Sequence, residues 1–264
     1  MTKLSRRSML AAVSAAAIPP IVAAGARPAL AADDHYPSNT ALYADPARTE
    51  GVHYARRFRR HPALDDSEAP GGSFPDTAVI ALHGGGIEPG TSELCLAVAG
   101  YHPAGGATGG PVYDYWMFEG LLSTGNGDLH VTSSHCDDPV ALATVAGSRR
   151  AVSLHGCSTD AAGLPSGTAA VLVGGRDTAL KTALLQAYAA AGVPAIDAAG
   201  VPGLDGDDPA NIVNRTLRGA GAQLELTTPL RTQMFGVNTR AGRKSSTLPP
   251  FWTFTDATRQ ALAA

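Results

Sequence analysis

An α/β domain, with a mixed central sheet flanked by helices in three layers, is the fold class this sequence predicts. Three observations lead there. Short apolar runs rich in strand formers recur along the chain, and helical stretches with recognisable caps lie between them. The 264 residues, 44% apolar with a formal charge of −3, suit one globular domain. Lys and Arg are scattered rather than striped, which excludes a nucleic-acid footprint.

Residues 1–31 read as a leader. Ser5-Arg6-Arg7-Ser8-Met9-Leu10 precedes an Ala-rich apolar stretch that ends in Ala29-Leu30-Ala31. This is the pattern of a twin-arginine export signal with an A-x-A cleavage site, so the twin-arginine (Tat) export machinery is an expected partner and the mature chain is expected to be secreted. Pro19-Pro20 and Arg27 interrupt the apolar run, which argues against a lasting membrane anchor. Residues 32–75 lack steady periodicity and read as an irregular lead-in, with Arg56-Arg57-Phe58-Arg59-Arg60 as a solvated basic face.

Residues 76–264 carry the domain. Apolar runs at 77–82, 129–132, 151–154, 169–173 and 222–226 predict buried strands. Helices are predicted at 92–99, 139–146, 178–191 and 211–218; the clearest is 178–191, with Asp177 as N-cap, Leu180, Leu184, Leu185 and Tyr188 on one face, and Gly192 as stop. The segment 100–110, with five glycines, His102 and Pro103, reads as an insertion or lid. Cys95, Cys136 and Cys157 are odd in number and lack metal spacing, so at least one is expected as a buried free thiol, while one pair could bridge.

The chemistry-bearing segment is His83-Gly84-Gly85-Gly86-Ile87-Glu88, directly after a predicted strand. Ligands of open α/β sheets bind beyond the carboxyl ends of strands, and glycines there let the backbone bend tightly. Hydrolytic zinc commonly takes two imidazoles and one carboxylate and leaves one position for water. His83 and Glu88 supply two of these. His155 repeats the arrangement of strand, His and Gly; His130 and His135 compete for the same place, His135 as the stronger rival because His130 lies inside a predicted strand. Asp137 and Asp138 read as helix caps before Pro139. Glu225, on a late alternating strand, fits a general base.

With these segments in place the sequence resembles the poly-γ-glutamate hydrolase family and, more distantly, the zinc carboxypeptidases. The resemblance begins near Tyr43 and is carried by HGGGIEPGTSE at 83–93, YDYWMFEG at 113–120, LHVTSSHCDDP at 129–139, AVSLHG at 151–156, VLVGGRD at 171–177 and NRTLRGAGAQLELTTPLR at 214–231. It implies a zinc carboxypeptidase-like fold, one zinc held by His83, Glu88 and His155, and Glu225 in the place of the catalytic base. Carboxypeptidases separate the first His and Glu by two residues; here four intervene, so Glu93 stands as a weaker alternative to Glu88.

The expected function is therefore secreted, zinc-dependent hydrolysis of γ-glutamyl amides, with cleavage inside poly-γ-glutamate favoured over trimming from an end. Arg231 and Arg215 are the candidates to grip substrate carboxylates, because a guanidinium binds them bidentately; His135 and Asn126 are further substrate contacts, although Asn126-Gly127 is also a turn signal. Between Glu88 and His155 only Arg149 and Arg150 could clamp a terminal carboxylate. The same site would suit γ-D-glutamyl bonds of peptidoglycan peptides or an N-acyl amino acid, and a non-catalytic secreted binding protein is the alternative of a different class.

Overall fold

The computed structural model describes residues 34–60 and 76–264, so the expected leader lies outside the described residues. Seven strands form one mixed sheet: β1 (Tyr54–Arg59), β2 (Thr77–Gly85), β3 (Asp114–Gly120), β4 (Arg150–Cys157), β5 (Val171–Gly175), β6 (Ala195–Asp197) and β7 (Ala222–Thr227), in the order β1-β3-β2-β4-β7-β5-β6. β3, β2, β4 and β7 run parallel, whereas β1 is antiparallel to β3 and β5 to β7. The expected three-layer α/β architecture is what the chain adopts.

Period-2 alternation builds the layers. Val79 and Ala81 of β2, Val152 and Leu154 of β4, and Leu224 and Leu226 of β7 point to one face. There they meet α2 (Thr91–Val98), α4 (Thr178–Ala191) and α6 (Pro249–Ala263), through Leu94, Leu184, Tyr188, Phe251 and Phe254. Ala78, Ile80 and Leu82 point the other way, with Trp116 and Phe118 of β3, onto α1 (Asn39–Ala44) and α3 (Pro139–Ala146). α4 is capped as expected, by Asp177 accepting from the Leu180 N–H and by left-handed Gly192; Asp138 caps α3 by accepting from Val140 and Ala141.

Several expectations are corrected. Residues 129–132 are not a strand: a short 3-10 turn covers Asn126–Leu129 and another Ser133–His135. Predicted helix 211–218 is only a 3-10 turn, Ile212–Asn214, because the Asn211 and Asn214 side chains bond nearby backbone and interrupt the ladder. The lead-in is not irregular throughout, since it holds α1 and β1. Its arginines are engaged too: Arg56 pairs with Glu50 and Asp138, Arg57 with Glu119, and Arg59 lies over the Tyr101 ring. The glycine-rich segment 100–110 closes on itself through a Tyr101–Ala107 bridge and packs His102 on Trp252; it is no lid over the site described below. All three cysteines are free and buried.

The site is positioned by where the ladders part. β2 pairs with β3 on one side and β4 on the other, so the strand order reverses at β2/β4, the place where an open α/β sheet leaves a crevice. The β2–β4 ladder ends at Ile80↔Ser153, and beyond it β2 stays with β3 across a register shift between Ala81 and Gly84. Gly85, at φ 67°, lies so close to Gly120 that a Cβ would stand 2.4 Å from the Gly120 carbonyl oxygen. His83 and His155 flank the gap that opens.

Candidate metal centre

Three side chains converge at that gap. His83 Nδ1 lies 2.9 Å from Glu88 Oε1 and 3.1 Å from His155 Nδ1, and His155 Nδ1 lies 3.8 Å from Glu88 Oε2. Glu88 reaches back because the turn after β2 is tight, with the Glu88 N–H donating to the His83 carbonyl at 2.8 Å. The carboxylate is then fixed from the other side by the Gly156 N–H, 2.8 Å from Oε2.

The outer nitrogens decide what the inner ones can do. His83 Nε2 lies 2.9 Å from the Val131 carbonyl, which only accepts, so that nitrogen carries the proton and Nδ1 keeps its lone pair. His155 Nε2 faces Ser133 Oγ at 3.4 Å, which leaves Nδ1 inward in the same way. Two lone pairs and a carboxylate aimed at one point repel unless a cation lies between them. A buried set of two imidazoles and one carboxylate, with outer partners that fix the tautomers, fits zinc.

The electrostatics agree. Burial would raise the Glu88 carboxyl, but the His83 and His155 imidazoles and the Gly156 N–H together outweigh it and hold the group down at about 2. Burial would lower His83, and the charge and hydrogen bond of Glu88, with the Val131 carbonyl and the charge of Asp34, together outweigh that and raise it, so positive charge is favoured at this point. Burial depresses His155 to about 3, keeping it neutral and available as a donor. Glu225 is the reverse case: burial, then the charge of Glu88, push its carboxyl well above the ordinary range, against the pull of Arg231.

His83, Glu88 and His130 also present donor atoms within 4.8 Å of one another. Ring geometry separates the two sets. His83 and His155 meet edge to face, with centroids 4.9 Å apart at 64° and their Nδ1 atoms 3.1 Å apart. His83 and His130 are stacked at 3.8 Å and 28° instead, and His130 Nδ1 is taken up by Asp34 at 2.8 Å.

Glu225 lines the same cavity, of about 1040 Å³, and accepts from Gln223 Nε2 at 3.0 Å. The other sequence candidates are placed differently. Arg231 is buried beneath Gly156, donating to the carbonyls of Leu226 and Pro89 and to Thr228 Oγ1. Arg215 is exposed, donates to the Ala210 carbonyl and is absent from the cavity wall. His135 is exposed, 3.3 Å from Asp34, and is absent from the cavity wall. Asn126 is spent on structure: its amide closes on the backbone of Leu122 through both oxygen and nitrogen. Glu93 is held by buried Arg243 at 3.1 Å, which removes it from the ligand contest. Arg150 donates to the Leu262 carbonyl. Asp34, Ser133 and His130 are the wall residues that sequence reasoning missed or undervalued; their partners lie far away in the chain and no spacing announces them.

Comparison with known proteins points in one direction. A family model described as poly-gamma-glutamate hydrolase matches residues 72–257. The UPF0714 protein YndL of Bacillus subtilis (strain 168) is 33% identical over 67% of this chain and 64% of its own length. The SPbeta prophage-derived UPF0714 protein YoqZ of the same strain is 32% identical over 67% of this chain and 58% of its own, so the chain spans less than two thirds of either relative. Two solved structures share the fold. A bacteriophage poly-gamma-glutamate hydrolase has a TM-score of 0.70 at 31% identity, covering 87% of this chain and 97% of that one. Zinc-free apo YndL has a TM-score of 0.71 at 28% identity, covering 88% and 98%.

Proposed function

The chain belongs to the poly-gamma-glutamate hydrolase family, with a zinc carboxypeptidase-like fold, and from that premise we propose an exported, zinc-dependent amidohydrolase that cleaves γ-glutamyl amide bonds within poly-γ-glutamate. The observation that carries the proposal is the convergence of His83 Nδ1, His155 Nδ1 and the Glu88 carboxylate beside Glu225 in one cavity. The zinc-free state of the YndL structure indicates that a relative is one for which zinc is at issue.

His83, His155 and Glu88 would hold the metal. Bound there, zinc supplies a lowered water pKa and polarisation of the amide carbonyl. The remaining work belongs to the chain. Glu225, whose carboxyl burial and the charge of Glu88 raise well above the ordinary range, takes a proton from the attacking water and returns it to the leaving amine. Arg231, with its guanidinium tethered under Gly156, tempers the two carboxylates beside it. With that side chain so occupied, the donors available to substrate carboxylates are the wall hydroxyls, among them Thr132, Ser133, Ser134 and Ser158.

One observation favours a second substrate for the same chemistry. Asp34, Glu88, Asp205, Asp207, Asp208 and Glu225 line the cavity, and among the described residues its wall holds no Lys or Arg. Such a wall suits a γ-glutamyl bond whose far side carries an amine, as in peptidoglycan stem peptides. Mature protein given poly-γ-glutamate and purified wall sacculi in parallel separates the two. Shortening of the polymer with few terminal monomers released supports the first reading, and release of stem peptides alone replaces it with the second.

A further inference from the structure

Asp34 precedes the span matched by the family, yet it forms part of the metal-cavity wall. Its side chain is only 6% exposed. One carboxylate oxygen lies 2.8 Å from His130 Nδ1; the other accepts from the Thr132 N–H at 2.7 Å and lies 3.3 Å from His135 Nδ1. If the leader is cut after Ala31, as the sequence predicts, Asp34 is the third residue of the mature chain. An enclosed carboxylate with this many donors fixes whatever it touches.

What it fixes is the His130 ring. An ionised carboxylate only accepts, so His130 Nδ1 donates and Nε2 is left with a lone pair. That ring lines the cavity and lies over His83, with a donor atom within 4.8 Å of those of His83 and Glu88. Nε2 has no protein partner among the described residues. An acceptor presented beside the metal centre fits an N–H group, and the N–H on the reacting side of an amide substrate belongs to the scissile bond.

Resting on the amide-hydrolysis reading above, we infer that Asp34 is a positioning residue that holds His130 so that Nε2 accepts the N–H of the scissile amide. The contact orients the amide and rewards a secondary amide over an ester, which has no such hydrogen. It also makes Asp34, a residue that precedes the family-matched span, part of the substrate site.

The test compares the zinc-loaded mature protein with Asp34→Ala, His130→Ala, His130→Gln and the Asp34→Ala/His130→Ala double variant, on an N-acyl-γ-glutamyl anilide and the matching phenyl ester, with zinc content measured alongside. Loss of one oriented hydrogen bond predicts that Asp34→Ala and His130→Ala each lower kcat/KM for the anilide by about tenfold to a hundredfold, with a far smaller effect on the ester. The double variant should be no worse than His130→Ala, because both act on one contact. Gln, which keeps an acceptor, should recover part of the loss. Equal losses on anilide and ester, no loss on either, or loss of zinc in His130→Ala would each overturn the inference. Wild type that holds zinc but cleaves neither probe would overturn the amidohydrolase reading itself, and the inference with it.

Discussion

His155 and Glu225 are register partners in the parallel β4–β7 ladder, so their side chains stand next to one another on the same face of the sheet. The sheet itself therefore sets the spacing between a proposed metal ligand and the proposed base. Leu224 and Leu226, on either side of Glu225, are buried in the opposite core, so a one-residue slip of β7 would cost apolar burial and is resisted. Glu225→Gln keeps the shape and the oxygen that accepts from Gln223, and it removes only the basic site. We expect zinc content and melting temperature to stay near wild type while kcat falls by about 10²- to 10⁴-fold. Retained activity would remove Glu225 from the mechanism; lost zinc would make it a ligand.

The converging nitrogens and the outer hydrogen bonds predict a graded effect on metal affinity. His83→Ala, Glu88→Ala and His155→Ala should each abolish stoichiometric zinc. Ser133→Ala, which removes only the hydroxyl facing His155 Nε2, should weaken binding by about 10- to 100-fold. His130→Ala should leave affinity unchanged. Chelator competition reads all five, and a His155→Ala variant that still binds tightly would transfer the third position to His130.

Without metal, the His83–Glu88 pair makes stability depend on pH in a defined window. Burial opposes both shifts, yet Glu88 is held at about 2 against an ordinary 4.5, and His83 is raised above 6.5. A depressed carboxyl contributes stability that is present above its unfolded value and lost as pH falls from 4.5 toward 2. A raised imidazole contributes stability present below 6.5 and lost as pH rises through its folded value. These are two views of one interaction, worth at most about 3 kcal/mol. Chelator-treated protein should therefore be most stable between pH 4.5 and 6.5, and Glu88→Gln should flatten both limbs. Zinc displaces the proton and should remove the alkaline limb. Parallel pH profiles for wild type and Glu88→Gln would refute the assignment.

Strands, caps and the residues that converge at the gap were legible where the signal is local. β2, β4, β5 and β7 were marked by their apolar runs, α4 by Asp177 and Gly192, and the ligand candidates by a His that ends an apolar run. What escaped depends on contacts distant in sequence. His130 looked like a strand residue because Leu129 and Val131 flank it; those two are buried in the core from a 3-10 turn and its exit, not from a strand. Arg231 and Asn126 carry the residue types of ligand contacts, but backbone carbonyls and amides 142 and 4 residues away take up their hydrogen bonds. Nothing near Glu93 in the sequence foretells that Arg243 neutralises it from 150 residues away.

Gly156 offers the sharpest test of how Arg231 acts. A Cβ at this position would stand 2.4 Å from Arg231 Cζ and 2.5 Å from Nε, inside any tolerable contact. The guanidinium cannot simply swing aside, because Leu226, Pro89 and Thr228 hold three of its donors. Gly156→Ala should therefore cost about 1–3 kcal/mol of stability through overpacking. It should also move the cation away from Glu225, whose carboxyl is raised by burial and by Glu88 and drawn down by Arg231. With that pull weakened, the Glu225 pKa rises further. Since the base must be ionised to act, the acid limb of the kcat–pH profile should move to higher pH. Arg231→Lys, which shortens the reach without adding a Cβ, should move the limb in the same direction. If Arg231→Lys shifts the limb and Gly156→Ala does not, the alanine is absorbed by backbone movement and the guanidinium stays in place. If neither shifts it, Arg231 serves only to tie β7 to the turn after β2, and its charge plays no part in tuning the base.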